Sequence, residues 1–212
     1  MVCKTDKKTI HWIRHGEAFS NTSDLNYQIV DPGLTQKGIE QSKGLRDKLK
    51  SLGIYDSVGL VVTSPLARTL QTYSCIFGEL GYLINVISLE ELRERIDNPC
   101  HKRKDITEKK KQYPYVNFSQ IPSNTDVLYD KSNGNEPESN LIKRINKFIR
   151  WLGTRREKNI VVITHGNFLY PLFNKVLLKS FENLKNSIGY DNSFFSNCEL
   201  RTLVLDFNNL KK

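Results

Sequence analysis

The stretch TIHWIRHGEAFSN, residues 9–21, decides the fold class, because a short apolar strand runs directly into an Arg-His-Gly-Glu turn. Residues 9–13 are rich in strand-favouring side chains and predict a β-strand. Gly16 ends the run and permits a tight turn with close approach of a ligand. We therefore expect Arg14 and His15 at the carboxyl end of a strand, which is where ligands bind in open α/β sheets. The arginine indicates that the ligand is an anion, and the neighbouring histidine indicates that a reaction takes place there.

The composition is that of a soluble globular protein with one sizeable core. The chain has 212 residues, of which 38% are hydrophobic and 26% are charged. Its net charge of +9, from 32 basic and 23 acidic residues, favours anionic partners, although general surface lysines explain it equally well. The sequence has no 18-residue apolar run and no apolar segment near its start. It therefore predicts neither a transmembrane helix nor a signal peptide.

The cysteine pattern favours a reduced compartment. Cys3, Cys75, Cys100 and Cys198 are widely spaced, and no two of them form a C-x-x-C pair. This spacing argues against a zinc site or a disulfide framework and predicts a cytoplasmic protein.

Strand and helix patterns alternate along the chain. Thr35 can cap a helix that Gly53 ends, and Ser64 and Pro65 are predicted to begin another as its N-cap and first residue. Further strands are predicted at 57–64, 82–87 and 159–166, two strands joined by a tight turn at 194–207, and further helices at 136–153 and 167–178. The alternation predicts an α/β fold, a three-layer α/β/α sandwich. Its sheet is expected to be mostly parallel, with an antiparallel strand at one edge.

Residues 93–135 break this alternation. They lack sustained periodicity, contain three prolines, and include HKRKDITEKKK, with six lysine and arginine residues against two acidic ones. We interpret the segment as an insertion or cap over the site within a single domain of residues 1–212. Its basic run could attract an anionic substrate or could be a solvated loop with little role.

Two strand patterns end in the same way, in WIRHG and VITHG. Since the carboxyl ends of parallel strands share one edge of a sheet, His15 and His165 are expected to converge although they are far apart in sequence. A third strand end leads to Arg68 just inside a helix N-terminus, which offers free N–H groups and a positive dipole end. Together with Arg14, these groups predict a phosphate cradle.

The same constellation suggests a reaction. A histidine among arginines is less basic, so its imidazole stays neutral and can attack phosphorus. The surrounding cations stabilise the charge on the phosphoryl oxygens in the transition state. The leaving oxygen then needs an acid, for which Glu90, Glu91 and Glu94 are the candidates.

Five motifs in this order resemble the histidine phosphatase superfamily, the phosphoglycerate-mutase-like group. They are RHGE after the first strand, LTQKG, SPLARTLQT, an L-x-E pattern after the third strand, and THG after a later strand. Each motif alone is a weak indication of the family, but five motifs in the family's order are a strong one. The resemblance covers most of the chain and is weakest over residues 93–135.

The resemblance implies a phosphoglycerate-mutase-like fold and specific catalytic roles. His15 would be the phosphorylated nucleophile. In the pattern LRE, residues 92–94, the glutamate Glu94 would be the proton donor, and Glu91 is the alternative. The family requires no metal and no organic cofactor, so we expect neither.

The remaining site residues are assigned to the phosphate and the substrate. Asn21 matches an asparagine that lines the phosphate pocket in family members. The catalytic set also includes Arg14, Arg68 and His165, and the substrate-binding set is Arg14, Asn21, Arg68, His165, Gly166 and Asn167.

Departures from the family pattern narrow the function. Ala18 replaces the serine or threonine of many members, and ERIDNPCHKRK stands where cofactor-dependent mutases have an RHYG-type segment. These differences favour metal-independent hydrolysis of phosphomonoesters through a phosphohistidine. The alternatives are phosphoglycerate-mutase-type phosphotransfer, and a catalytically weak protein that binds phosphorylated ligands.

The expected partner is a small phosphorylated substrate or a phosphoprotein. No nucleic-acid motif accompanies the aromatic residues of the basic segment, and no membrane partner is expected. A homodimer is allowed because such dimers are common. His11 and His101 are interpreted as ordinary satisfied or exposed histidines.

Overall fold

Five strands form one sheet in the computed structural model, which describes residues 6–129, 135–181, 184 and 190–210, with the side chains of 81, 82 and 209 excepted. The strands are β1 (Lys7–Arg14), β2 (Leu60–Thr63), β3 (Val86–Ser88), β4 (Asn159–Thr164) and β5 (Leu200–Asp206). Their order is β3-β2-β4-β1-β5. β5 runs antiparallel to β1 at one edge, and every other pair is parallel. The predicted sheet is confirmed.

Helices cover both faces of the sheet. They are α1 (Gln36–Ser51), α2 (Ala67–Phe77), α3 (Ile106–Gln112), α4 (Glu138–Gly153), α5 (Gly166–Pro171), a π-helix (Leu172–Leu177) and α6 (Leu178–Ser180). Trp12 and Val162 pack in the core cluster that contains α4 and α5, whereas Ile13 and Val161 pack in the cluster that contains α1 and α2. This alternation confirms the three-layer α/β/α arrangement. Among the described helices, none has the length and apolar character needed to cross a membrane.

α1 begins and ends as its sequence predicts. The Thr35 hydroxyl accepts a hydrogen bond from the N–H of Gly38 at 3.1 Å, and Gly53 ends the helix with φ at 66°. Gly38 also has a packing role, since a Cβ atom there would lie 2.0 Å from the carbonyl oxygen of Glu17. The first turn of α1 therefore packs directly against the loop that follows β1.

Three local predictions are wrong: the start of α2, the number of strands in residues 194–207, and the start of β3. α2 begins at Ala67, because the hydroxyl of Ser64 accepts from the N–H of Leu66 and completes a turn before the helix. Residues 194–207 contain one strand, β5, not two. Cys198 takes φ of 56° and donates its N–H toward the carbonyl oxygens at the end of β1, which prevents a second strand from pairing. β3 is also shorter than the predicted 82–87 and begins at Val86.

Residues 93–135 are more ordered than their pattern predicts. The segment contains α3, and 130–134 lie outside the described residues. Arg103 is 1% exposed and donates to Glu90 and to the carbonyl oxygens of residues 123, 124 and 125, while the Lys109 ammonium lies 2.5 Å from a carboxylate oxygen of Asp31. These two buried cations organise the segment, whereas the other four basic residues of the run are exposed: Lys102, Lys104, Lys110 and Lys111. Whether residues 1–212 form one domain, with this segment as its cap, stays a prediction.

Candidate active site

The carboxyl edge of the sheet opens into a cavity of about 350 Å³. The cavity is lined by Arg14, His15, Ser20, Asn21, Tyr27, Arg68, Glu94, Asp97, Asn98, His101, Asn167 and Phe194. Arg14 is the last residue of β1, His15 follows it directly, and α2 supplies Arg68. The segment after β3 supplies four more, among them Glu94. The predicted convergence of strand ends thus occurs in the structure.

His15 is held as a neutral imidazole whose single ring lone pair lies on Nε2. Its side chain is buried, and Nδ1 lies 2.7 Å from the carbonyl oxygen of Gly16. A carbonyl oxygen can only accept, so Nδ1 carries the proton and donates it. Nε2 lies 3.2 Å from Nε of Arg68, which can only donate, so Nε2 must accept. The tautomer therefore leaves the lone pair of Nε2 at the cavity, on the atom that can act as a nucleophile.

His165 lies behind Arg68 and does not line the cavity. Its ring centroid is 5.1 Å from that of His15, and its Nδ1 accepts from Nε of Arg68 at 3.2 Å. Nε2 therefore carries the proton and donates to the hydroxyl of Ser64 at 2.9 Å. One guanidinium N–H thus bridges the two histidines and fixes both rings.

Both histidines resist protonation. Burial lowers the pKa of His15 well below its usual 6.5, and the positive charges of Arg68 and Arg14 lower it further. Burial and the charge of Arg68 have the same effect on the pKa of His165. His11, on β1 but outside the cavity, also has a pKa lowered mainly by burial, and its ring contacts Thr202 and Asn159. All three are neutral at neutral pH.

We expect the free energy of unfolding to fall as the pH decreases from 7.5 to 5. In this window the unfolded chain takes up protons near pH 6.5, whereas the folded chain does not, because its histidine pKa values are lowered. The stabilisation is present above 6.5 and is lost as the pH falls toward the lowered values, by at most about 1.4 kcal/mol per pH unit for each histidine. Urea unfolding across this range measures it. The double variant His15→Gln/His165→Gln should show a shallower slope, and an unchanged slope would contradict the assignment.

Arg14 and Arg68 supply the positive charge. Arg68 is 2% exposed and donates from Nη1 to the carbonyl oxygen of Cys100 at 3.1 Å. Arg14 donates from Nη1 to the carbonyl oxygen of Phe195 at 2.7 Å, and its buried Nε has no hydrogen-bond partner among the described residues. Both guanidinium groups therefore keep donors that a bound phosphate oxygen can satisfy.

Of the three candidate acids, Glu94 reaches the cavity. The residue is 7% exposed, and its carboxylate accepts from the backbone N–H groups of Arg95 at 2.9 Å and of Asn167 at 3.3 Å. Glu90 instead pairs with buried Arg103, and Glu91 pairs with Lys147 away from the cavity. The geometry therefore favours Glu94 over Glu91 as the group facing a leaving oxygen.

An arginine on α4 fixes the backbone around Glu94. The guanidinium of Arg144 donates to the carbonyl oxygens of Glu91, Arg93 and Glu94 at 2.8–3.2 Å and is paired with Glu136 at 2.7 Å. The position of Glu94 thus depends on a helix more than 40 residues further along the chain.

The other predicted substrate residues divide into two groups. Asn21 and Asn167 line the cavity, and the Asn21 side chain accepts from the N–H of Ala18 at 3.0 Å. Gly166 lies beneath the cavity wall, where a Cβ atom would come 2.5 Å from the ring of Phe194. His165 and Gly166 are therefore placed to support the site and not to line it.

Several lining residues were missed by sequence reasoning. His101 was interpreted as an ordinary histidine, but it faces the cavity with its Nδ1 2.7 Å from a carboxylate oxygen of Asp97. Tyr27 and Phe194 also line the cavity. The Asp97–His101 spacing of four residues was the available signal, but it had no helical pattern to support it. Nowhere in the described part of the chain do three His, Cys, Asp or Glu side chains cluster as a metal site would.

Comparison with known proteins agrees with this geometry. Residues 10–209 match the model of the Histidine phosphatase superfamily (branch 1). The chain is 32% identical to "Phosphoglycerate mutase-like protein 1" of Arabidopsis thaliana, over 93% of this chain and 81% of that protein. It is 30% identical to "Phosphoglycerate mutase-like protein 2" of the same plant, over 93% and 74%.

Solved structures share the fold at lower identity. A putative alpha-ribazole-5'-P phosphatase from Escherichia coli superposes with a TM-score of 0.55 at 22% identity, over 81% of this chain and 80% of that one. A phosphoserine phosphatase from Entamoeba histolytica gives a TM-score of 0.54 at 21% identity, over 92% and 89%. At these identities the likeness establishes the fold alone.

Proposed function

The chain belongs to the histidine phosphatase superfamily, and from that premise we propose that it hydrolyses phosphomonoesters through a phosphohistidine on Nε2 of His15. One observation carries the proposal. A neutral nucleophilic nitrogen, two arginine guanidinium groups and a carboxylate, Glu94, all face one cavity. This set provides a nucleophile, charge stabilisation and an acid without a metal.

The first half-reaction forms the phosphoenzyme. Nε2 of His15 attacks phosphorus, a P–N bond forms, and the P–O bond to the leaving alcohol breaks. Arg14 and Arg68 stabilise the charge on the non-bridging oxygens, and protonated Glu94 gives its proton to the leaving oxygen. His165, held by Arg68 and Ser64, positions the guanidinium between the two rings.

The second half-reaction returns the enzyme to its starting state. Glu94, now ionised, takes a proton from water as the water oxygen attacks phosphorus and the P–N bond breaks. Inorganic phosphate is released, and Glu94 is protonated again. One water is consumed for each ester cleaved, and no redox change occurs.

Phosphotransfer of the mutase type is the second candidate, because the two Arabidopsis thaliana relatives described above carry the words "Phosphoglycerate mutase-like" in their names. A mutase shares the first half-reaction and must keep water from the phosphohistidine. A protein that only binds phosphorylated ligands is disfavoured by the position of Glu94 inside the cavity. A cytoplasmic location, a phosphoprotein substrate and a homodimer stay predictions.

The test follows phosphate release from p-nitrophenyl phosphate with EDTA present, together with interconversion of 3-phosphoglycerate and 2-phosphoglycerate with 2,3-bisphosphoglycerate added. The proposal expects hydrolysis that EDTA does not affect, and an acid-labile, alkali-stable phosphoenzyme. Interconversion without net phosphate release would support the mutase. Absence of both reactions in folded protein would support a binding protein.

A further inference from the structure

The leaving-group side of the cavity differs in charge from the phosphate side. Arg14 and Arg68 are the only arginine or lysine side chains among the described residues that line the cavity. The acidic side chains in the cavity lining are Glu94 and Asp97, and His101 and Tyr27 add an imidazole and a phenol. His101 Nδ1 lies 2.7 Å from Asp97 Oδ1, so these two side chains are paired with each other. Once the two arginines hold a phosphate, no unpaired cation in the described lining remains for a second anion.

An aromatic side chain lines the cavity beside Arg14. Phe194 lines the cavity, yet 49% of its surface is exposed. The central carbon of the Arg14 guanidinium lies 5.3 Å from the centroid of the Phe194 ring, and the centroid of the Tyr170 ring lies 6.1 Å from the same point. Exposed aromatic rings beside a polar cavity favour contact with a flat apolar group.

The ring of Phe194 is fixed in place. Its edge lies so close to Gly166 that any Cβ atom there would come within 2.5 Å of it. The next residue, Phe195, is buried beneath the Arg201 guanidinium at 3.8 Å, and its carbonyl oxygen accepts from Arg14. A ring held on its backbone and along its edge loses little conformational entropy when a ligand packs on it.

We propose that Phe194 is a specificity-determining residue that favours monoesters whose leaving group is aromatic and carries no second anion. The Asp97 carboxylate adds to the selection because it pairs with His101 and leaves no unpaired cation there for a carboxylate or second phosphate. The inference rests on the proposed hydrolysis and names its substrate class. This preference distinguishes the site from a site that binds phosphoglycerate, because the leaving group of phosphoglycerate carries a carboxylate.

The experiment compares kcat/KM for four substrates: benzyl phosphate, cyclohexylmethyl phosphate, 4-carboxybenzyl phosphate and 3-phosphoglycerate. The first three release primary alcohols of similar basicity, so differences between them report recognition and not leaving-group chemistry. We expect benzyl phosphate to exceed cyclohexylmethyl phosphate by about 3- to 10-fold. For the two substrates that carry a carboxylate, kcat/KM should be lower than for benzyl phosphate by about tenfold or more.

Three variants assign these preferences to residues. Phe194→Leu should remove the preference for benzyl over cyclohexylmethyl phosphate, and Phe194→Trp should keep it. Asp97→Asn should raise kcat/KM for 4-carboxybenzyl phosphate relative to kcat/KM for benzyl phosphate. Phe19→Leu is the matched control, because Phe19 is 48% exposed and does not line the cavity.

The outcomes separate the inference from the proposal on which it rests. If benzyl phosphate is hydrolysed no faster than cyclohexylmethyl phosphate, or if Phe194→Leu keeps the preference, the inference is overturned while hydrolysis stands. If no ester is hydrolysed and no phosphoenzyme forms, the proposed function itself fails. A preference that Phe194→Leu removes and Phe19→Leu retains supports the inference.

Discussion

Replacement of His15 by alanine is expected to lower kcat/KM for every monoester by about 10⁴-fold or more and to abolish the phosphoenzyme. The variant removes Nε2, the nitrogen whose lone pair is the nucleophile. The contacts of the His15 ring with Gly16 and Arg68 hold this atom at the cavity. Arg14, Arg68 and Glu94 remain, but they surround phosphorus without an atom to attack it. Labelling with radioactive substrate, followed by quenching in alkaline detergent that preserves phosphohistidine, measures the phosphoenzyme directly.

The control is His11→Ala, which removes a second buried histidine, one that lies on β1. His11 contacts Thr202 and Asn159 and does not line the cavity, so its loss should change stability and leave labelling intact. Thermal unfolding of both variants checks that each is folded. Labelled phosphohistidine in His15→Ala would mean that a different histidine is the nucleophile, and the proposed mechanism would be wrong.

The core of this site was predictable because it depends on strand ends. β1 and β4 are apolar runs that each stop at a histidine, and parallel pairing places Arg14 opposite Thr164. The N–H of His15 continues the ladder by donating to the carbonyl oxygen of Thr164 at 3.0 Å. His15 and His165 are therefore level at one edge, a consequence of strand order that the repeated motif already implied.

The wall around the leaving group was not predictable, because it is held by contacts between distant residues. Lys109 pairs with Asp31, 78 residues away, and Arg93 pairs with Asp126, 33 residues away. Lysine and arginine in a run of mixed charge normally indicate a solvated loop. Their burial becomes apparent only when the acidic partners are in place, and with it the position of His101.

Phe194 illustrates the same limit at the other wall. The pattern of residues 194–207 is typical of strands, and an aromatic pair at its start is expected in a core. Phe195 is indeed buried, but Phe194 is turned to the cavity because the Phe195 carbonyl binds Arg14. The choice between core and cavity thus depends on one hydrogen bond to a residue 181 positions earlier in the chain.

Replacement of Glu94 by glutamine is expected to separate the two half-reactions. For benzyl phosphate, whose alcohol needs a proton to leave, kcat/KM should fall by about 10²- to 10⁴-fold. p-Nitrophenolate leaves without protonation, so formation of the phosphoenzyme from p-nitrophenyl phosphate should fall much less. Hydrolysis of the phosphoenzyme still lacks its base. Rapid mixing should therefore show a burst of about one nitrophenolate per active site, followed by slow turnover.

Glu91→Gln is the matched control for this experiment. Glu91 precedes Glu94 by three residues, belongs to the same acidic segment and was the alternative acid, but it pairs with Lys147 outside the cavity. It should show neither the burst nor the selective loss of benzyl phosphate hydrolysis. An equal loss for both esters without a burst in Glu94→Gln would contradict the acid–base role. A burst in Glu91→Gln would transfer that role to Glu91. The two esters distinguish a structural effect from a chemical one. Loss of packing around position 94 would slow hydrolysis of both esters alike. Loss of a proton donor slows only the ester whose leaving group needs a proton.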